Sequence, residues 1–142
     1  MYDESPSSSI AEHNKRLTAE FFGRFTAGDI AGVLDAMTDD ATWWMAGKPG
    51  LAPVAGLKTK AEMATVLERL TGRLRTSLTV TVKSMIAESN KVAVELESYG
   101  ELRNGRTYNN EYHSVVTIRG EKISAVREYL DTHHVFATFF AP

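Results

Sequence analysis

The stretch of sequence that decides the fold runs from Glu95 to Asp131 and reads ELESYGELRNGRTYNNEYHSVVTIRGEKISAVREYLD. It contains two strong turn signals between segments of strand-forming residues. Asn104-Gly105 is typical of a β-hairpin with a two-residue turn, and Gly120-Glu121 carries glycine where a type II′ turn requires it. We therefore predict three antiparallel strands at about 91–103, 106–119 and 122–132.

A two-residue turn determines which residues of its two strands lie opposite each other. With both turns in place, three rows of mostly polar side chains share one face of the sheet. The rows are Glu95–Ser114–Arg127, Glu97–Tyr112–Tyr129 and Tyr99–Asn110–Asp131, which we call the polar grid. Such a face is either exposed to solvent or forms the floor of a binding pocket, and the spacing alone leaves both interpretations open.

Three helices are expected before these strands. Ser9-Ile-Ala-Glu12 and Thr59-Lys-Ala-Glu62 match the capping box found at helix starts, and a short helix is predicted from about Asp29. A short strand is expected at Thr42–Met45, a loop at 46–57, and a further strand from about Thr76. The order predicts an α+β domain over residues 10–142, in which helices cover one face of a bent sheet, after a disordered tail at residues 1–9.

The composition excludes several classes of function. The chain has 142 residues, which is the length of one domain, and its net charge of −2 without a basic stripe argues against nucleic acid as a partner. It has no cysteine, hence no disulfide and no thiolate metal site. We see no apolar run of membrane-spanning length and no signal peptide, so we expect no membrane partner and a cytoplasmic location.

The face opposite the polar grid is too apolar to be simply solvated. By the same turn arithmetic it carries Val94, Val115 and Val126 in one row, with Leu96 and Leu130 beyond them. A homodimer that packs through this outer face would bury these side chains.

Several motifs resemble the SnoaL-like branch of the NTF2-like superfamily. They are Phe21-Phe22, Asp39–Trp43 (DDATW), Gly105–Tyr112 (GRTYNNEY), Gly120–Ile123 (GEKI) and Arg127–Thr132 (REYLDT). The resemblance covers nearly the whole chain from about residue 10. It implies a cone-shaped α+β barrel in which three N-terminal helices pack on the concave face of a curved, mostly antiparallel sheet. It also implies that the polar grid faces a cavity within the cone.

Compared position by position, this sequence lacks the complete catalytic residues of the two superfamily enzymes that it resembles. Ketosteroid isomerases of this superfamily have a general-base Asp at the position of Met45. In limonene-epoxide hydrolases an Asp–Arg–Asp set acts with a Tyr and an Asn. Here Glu97 and Asp131 match the two carboxylates, but Glu95 replaces the Arg, and Trp43 and Met45 replace the Tyr and Asn.

Glu97 and Asp131 are the predicted acid–base pair. Neighbouring carboxylates in a cavity disfavour each other's charge, so one of them should hold its proton near neutral pH. A metal site built from Glu97, Asp131 and His133 lacks any recognisable ligand spacing, and we predict no metal and no cofactor. The predicted ligand-binding residues are Trp43, Glu95, Tyr99, Asn110, Tyr112, Arg127, Tyr129 and His133.

The sequence thus predicts a SnoaL-like pocket protein that binds a small, apolar compound with a carbonyl or hydroxyl group. If it is an enzyme, cofactor-free acid–base chemistry of the isomerase, cyclase, lyase or hydratase/hydrolase type fits best. The alternative is a non-catalytic ligand-binding or dimerisation domain of the same fold.

Overall fold

The computed structural model describes residues 6–142 of the chain, with side chains from Ser9 onward. The helices are α1 Pro6–Thr26, α2 Ile30–Asp35, α3 Lys60–Arg73 and α4 Thr132–Val135, and α4 continues into a π-helical turn over Phe136–Phe140. The strands are β1 Met37–Met45, β2 Gly56–Thr59, β3 Thr79–Glu88, β4 Lys91–Glu101, β5 Thr107–Arg119 and β6 Lys122–Leu130. Residues 1–5 of the predicted tail lie outside the described residues, and α1 begins before the predicted Ser9. The division into tail and domain therefore stays a prediction.

The six strands form one sheet in the order β2-β1-β6-β5-β4-β3. Neighbouring strands are antiparallel except β1 and β6, which run parallel. Because β2 and β3 each pair on one side only, the sheet is open and does not close into a barrel. Irregularities in three of the five ladders bend the sheet, as β-bulges do. The predicted α+β architecture, a curved sheet with helices on its concave face, is confirmed.

The helices cover the concave face through buried side chains. Phe21, Phe22 and Phe25 of α1 and Met63 and Leu67 of α3 belong to the same core as the inner residues of the sheet. The predicted capping box of α3 is present. Thr59 Oγ1 accepts a hydrogen bond from the Glu62 backbone N–H, and Glu62 Oε1 accepts one from the Thr59 N–H, both at 3.1 Å.

The hairpin between β4 and β5 differs from the prediction by one residue. Its loop has three residues, Arg103, Asn104 and Gly105, between the paired Leu102 and Arg106. The Gly105 N–H donates to the Leu102 carbonyl at 3.0 Å, and Gly105 adopts a φ of +91°. A turn followed by a glycine at positive φ is the usual three-residue hairpin loop, and it moves the register by one position. Ser98 thus pairs with Asn110, and Glu97 pairs with Glu111.

The hairpin between β5 and β6 has the predicted two-residue turn. Arg119 pairs with Lys122, and Gly120 and Glu121 both have positive φ values of 55° and 69°, which is type I′ rather than the expected type II′. A bulge beyond the turn then changes the register, so that Thr117 pairs with Ala125. From that point on, β6 presents to each face the residues that the prediction had placed on the other.

The predicted polar grid is therefore wrong as a single face. Its central column is on the concave side, where Asn110 and Ser114 are buried. Its two outer columns, apart from Asp131 beyond the end of β6, are on the convex side, because each neighbouring ladder is shifted by one residue and side chains alternate between faces. The concave rows are Val94–Ser114–Glu128, Leu96–Tyr112–Leu130 and Ser98–Asn110.

The apolar side chains that predicted a dimer face are likewise displaced. Val94, Leu96 and Val126 are buried in the core of the protein, and Leu130 lines the interior, so they cannot form an outer interface. Of that set only Val115 lies on the convex face, where it pairs with Ala93 and Arg127. No helix among the described residues is both long and apolar enough to cross a membrane.

Candidate functional site

A cavity of about 600 Å³ lies between the concave face of the sheet and the elements that cover it. Its wall is formed by α1, α3, the loop before β2, the sheet, and the final helical segment Thr132–Phe140. The wall is mostly apolar. Its apolar side chains are Phe22, Phe25, Trp43, Met45, Pro53, Val54, Met63, Val66, Leu67, Leu70, Leu78, Val80, Leu96, Leu130, Val135, Phe139 and Phe140.

Glu128 is the carboxylate within this cavity. It lies on β6 beside Met45 of β1 and Ser114 of β5, and its residue surface is only 9% exposed. Burial raises the pKa of Glu128 to about 7, and the nearby indole of Trp43 and the charge of Lys58 limit the increase. At neutral pH Glu128 is therefore poised between its acid and its base form.

Two further polar groups lie close to Glu128. Trp43 lines the cavity and is 2% exposed, and its Nε1–H has no hydrogen-bond partner of normal geometry among the described residues. It is nevertheless close enough to Glu128 to lower the pKa of that carboxyl group. Lys58 pairs with Trp43 across β1 and β2, and burial lowers the pKa of its ammonium group. Both side chains therefore stabilise the ionised form of Glu128.

A chain of hydroxyl groups forms the polar part of the wall. The hydroxyl of Tyr112 is 2.8 Å from Ser98 Oγ and 2.7 Å from the hydroxyl of Tyr108. Asn110 Nδ2 donates to the Tyr108 hydroxyl at 3.1 Å. Burial raises the pKa of Tyr108 to about 12 and that of Tyr112 well above its usual range. Both tyrosines therefore stay protonated and can donate hydrogen bonds at neutral pH.

Three of the predicted site residues belong to this arrangement. Trp43 and Tyr112 line the cavity. Asn110 is 2% exposed and lies behind the wall, where its amide bonds Tyr108 and the Asp131 carbonyl oxygen at 3.1 Å. It supports the tyrosines rather than facing the cavity.

The predicted acid–base pair does not line the cavity. Glu97 is on the convex face, where it forms an ion pair with Lys83 at 3.3 Å. Hydrogen bonds from Asn109 and Lys83 lower the pKa of Glu97, whereas the predicted role needed a raised pKa. Asp131 is exposed at the start of α4, where its Oδ1 accepts a hydrogen bond from the His134 N–H at 3.1 Å. Glu97 lies on the convex face because the pairing of β4 with β5 is shifted by one residue. Asp131 lies outside the sheet because β6 ends at Leu130.

The other predicted ligand-binding residues also lie outside the cavity. Glu95 accepts a hydrogen bond from Ser84 Oγ on the convex face, and Tyr99 donates to Glu101. The Arg127 guanidinium lies 4.1 Å from the ring centre of Trp44, and Tyr129 packs edge-on against the same indole. His133 is exposed on α4.

Sequence reasoning missed Glu128, Tyr108, Ser98 and Lys58. One signal for the correct face was present in β4 by itself. Its apolar residues Val92, Val94 and Leu96 occupy even positions, and Glu95 and Glu97 occupy odd ones. That alternation places Ser98 on the buried side. Glu128 shares the row of buried Val94, since both pair with Ser114, but that row is fixed only by the register of the two ladders. Among the described residues, no group of three or more His, Asp or Glu side chains is arranged to hold a metal ion.

Solved structures of low sequence identity share this fold. PrhC from Penicillium brasilianum superimposes with a TM-score of 0.80 at 15% identity, over 90% of this chain and 86% of its own. An NTF2-like protein of unknown function from Burkholderia pseudomallei gives 0.76 at 17%, over 91% and 98%. TerC, co-crystallised with polyporic acid, gives 0.75 at 19%, over 91% and 99%. Comparison with curated protein sequences gives no match.

The family model of the SnoaL-like domain matches residues 18–126. This match covers both halves of the architecture, from the aromatic face of α1 to the middle of β6, and thus most of the cavity wall. The resemblance seen in the sequence motifs is confirmed, and the chain belongs to the SnoaL-like domain family within the NTF2-like fold.

Proposed function

We propose that this domain binds a small, largely apolar compound with a carbonyl or hydroxyl group, and that Glu128 exchanges a proton with it without a cofactor. The observation that carries the proposal is Glu128, a carboxyl group with a pKa of about 7 inside an apolar cavity of about 600 Å³. A group whose pKa is near the ambient pH is an efficient general acid or base. The volume suits a compound of metabolite size.

The tyrosine chain supplies the complementary hydrogen-bond donor. Because Asn110 donates to the Tyr108 hydroxyl, Tyr108 can direct its own proton to Tyr112. Tyr112 is then free to donate to Ser98 or to a ligand oxygen. Tyr112 is a diagonal neighbour of Glu128 across β5 and β6, and such residues are about 7–8 Å apart, with their Cβ atoms somewhat closer. Both side chains line the cavity, so one ligand can contact Tyr112 through its carbonyl oxygen and Glu128 through the neighbouring carbon.

The chemistry that follows is a proton shift. Ionised Glu128 removes a proton from the carbon next to the carbonyl, and the electron pair of that C–H bond forms an enolate. Tyr112 donates a hydrogen bond to the enolate oxygen, where the negative charge develops. Glu128 then returns the proton to the enolate oxygen or to a different carbon conjugated with it, which gives isomerisation. Alternatively, the enolate carbon attacks a second carbonyl carbon of the same ligand, the π electrons of that C=O bond move to its oxygen, and this oxygen takes the proton from Glu128, which gives cyclisation.

The proposal is tested by the exchange of α-protons of 2-tetralone, an apolar bicyclic ketone, in D₂O, followed by NMR. We expect the protein to accelerate exchange above the buffer rate, and the acceleration to rise with pH through about 7 as Glu128 ionises. Glu128→Gln should abolish it, and Tyr112→Phe should reduce it roughly 100-fold, as loss of one oxyanion donor does. Glu97→Gln is the matched control, since it removes a carboxylate from the convex face.

Three results would contradict the proposal. They are exchange no faster than in buffer, equal exchange by Glu128→Gln and the unchanged protein, or a loss caused by Glu97→Gln instead. Circular dichroism and thermal unfolding of each variant separate a lost base from a lost fold. Binding of 2-tetralone without exchange would support the alternative of a non-catalytic ligand-binding domain.

We also propose that the domain forms a homodimer through the convex face of the sheet. One row of side chains crosses all six strands there, Ile86–Ala93–Val115–Arg127–Trp44–Leu57, and it is apolar except for Arg127. Ile86 and Leu57, at its two ends, are 74% and 64% exposed. Exposed apolar patches of this kind mark interaction surfaces, and a two-fold axis lets one patch cover its own copy.

Sedimentation equilibrium tests the dimer. We expect the unchanged protein to be a dimer. The double variant Ile86→Lys and Leu57→Lys should be a monomer, because a dimer of it would bury two charges per copy in the contact. Leu51→Lys, in the exposed loop before β2, should leave the dimer intact. A monomer at all concentrations, or dissociation by Leu51→Lys as well, would contradict this interface.

A further inference from the structure

The mouth of the cavity has a different character from its interior. The lining residues that reach the surface are Pro53 of the loop before β2, Arg69 of α3, and Phe140 of the final helical segment. Half-buried Arg73 lines the same region. A mostly apolar interior that contains Glu128 thus has two arginine side chains at its exposed end.

Arg69 and Arg73 are four residues apart on α3, and so they lie on the same side of the helix, one turn from each other. Arg73 Nη1 donates to the Phe139 carbonyl at 2.8 Å, and its guanidinium lies 5.1 Å from the Phe139 ring centre. These contacts hold the Arg73 side chain at the mouth and leave its other N–H groups available. Within residues 9–142, every ion pair involves other cations, so neither arginine is neutralised by an acidic side chain.

We infer that the ligand of this cavity is an organic acid, whose apolar body fills the interior and whose anionic group binds Arg69 and Arg73 at the mouth. Guanidinium groups bind carboxylates through paired, charge-assisted hydrogen bonds. In the opposite orientation the anion would lie beside Glu128, where Lys58 is the nearby cation and the carboxyl group already interacts with its charge, whereas the mouth offers two guanidinium groups without an acidic partner. The inference rests on the proposed function only in taking this cavity as the binding site, and it orients the ligand so that its reactive carbonyl or hydroxyl reaches Glu128.

The test compares two fluorescent probes with the same aromatic body. 1-Anilinonaphthalene-8-sulfonate carries an anionic group, whereas N-phenyl-1-naphthylamine is neutral. We expect both to bind the protein and to compete with each other. Arg69→Gln together with Arg73→Gln should weaken the sulfonate at least about tenfold and leave the affinity for the neutral probe unchanged. Arg75→Gln is the matched control, because Arg75 is exposed just past α3 and does not line the cavity.

Any of four results would overturn the inference. They are no binding of either probe, no competition between them, equal weakening of both probes by the double variant, or the same weakening of the sulfonate by Arg75→Gln. Neither probe undergoes proton transfer at carbon, so these titrations do not depend on catalysis. A sulfonate effect without any exchange of 2-tetralone would reject the proton-transfer proposal alone. Exchange without a sulfonate effect would reject the organic-acid inference alone.

Discussion

Glu128 shows how strongly the surroundings of one residue determine its chemistry. The chain has eighteen acidic residues, and most of those described are exposed, where water stabilises their charge. Glu128 lies in a mostly apolar cavity, and its burial there outweighs the nearby indole of Trp43 and the charge of Lys58, so its neutral form is favoured. The same side chain on the convex face, as Glu97 shows, is held ionised by its neighbours. The position of a carboxyl group, and not its type, thus decides whether it can serve as an acid at neutral pH.

This environment makes a prediction for stability. The folded protein holds the proton of Glu128 more tightly than the unfolded chain, so the free energy of unfolding should fall as the pH rises from 4.5 through about 7. The pKa difference corresponds to a loss of about 3 kcal/mol. Glu128→Gln should remove this contribution and be more stable than the unchanged protein at pH 8. Urea unfolding at a series of pH values measures it. The same decline in both proteins would show that other groups cause it.

At the scale of elements, one residue of loop length rearranges the whole site. The loop Arg103–Gly105 takes three residues because Gly105 adopts a positive φ, and the Asn104 side chain accepts a hydrogen bond from the Arg106 N–H at 3.0 Å. Because Asn104-Gly105 also suits a two-residue turn, the sequence did not determine how many residues this loop contains. Since side chains alternate along a strand, that single residue moved Glu97 out of the cavity and Ser98 into it.

Gly105 should therefore resist substitution, although nothing crowds it. A Cβ at this position would meet no atom within 4 Å, so the cost of Gly105→Ala comes from the backbone at φ +91° alone. We expect a loss of about 1 kcal/mol in the free energy of unfolding. Gly23→Ala is a control for which we expect the opposite change in the free energy of unfolding. It lies within α1 with equally open space, where alanine should stabilise the helix by up to about 1 kcal/mol. Urea unfolding of both variants tests the pair, and a neutral Gly105→Ala would argue against the three-residue loop.

At the scale of the whole molecule, the cavity exists because distant segments close over an open sheet. The final helical segment contributes Val135, Phe139 and Phe140 to the wall. Arg106, which follows the loop between β4 and β5 and pairs with Leu102, holds this segment by donating to the carbonyl groups of Ala137, Thr138, Ala141 and Pro142 at 2.8–3.3 Å. One side chain thus ties the end of the described fold to its central hairpin.

Loss of this tie should loosen one wall of the cavity. In Arg106→Gln four carbonyl groups lose their donor. We expect amide hydrogen exchange in residues 132–142 to become faster than in the unchanged protein, and exchange in β4 and β5 to change less. Hydrogen–deuterium exchange with mass spectrometry measures it. Arg119→Gln, which breaks an exposed contact with Asp40, is the control and should leave this segment unchanged. Unchanged protection in Arg106→Gln would mean that apolar packing alone holds the segment.

The elements of the fold were predictable because their signals are local. The capping box at Thr59, the cap at Asp29 and the turn at Gly120 involve contacts between residues close in the chain. The strand β2 was missed because its four residues follow a loop rich in glycine and proline and are ordered only by pairing with β1. The parallel pairing of β1 with β6 joins segments about eighty residues apart, and no local pattern indicates it.

By itself, the amino-acid sequence determined the family and the α+β architecture. Periodicity, turn residues and motifs report these because they depend on neighbouring positions. Only the tertiary structure decided which carboxyl group the cavity contains. That choice depends on two register shifts, at Gly105 and beside Ser124, and each of them exchanges the inner and outer faces of a strand. Glu128 gained its raised pKa from the burial that those shifts produce, and burial is a property of the assembled fold.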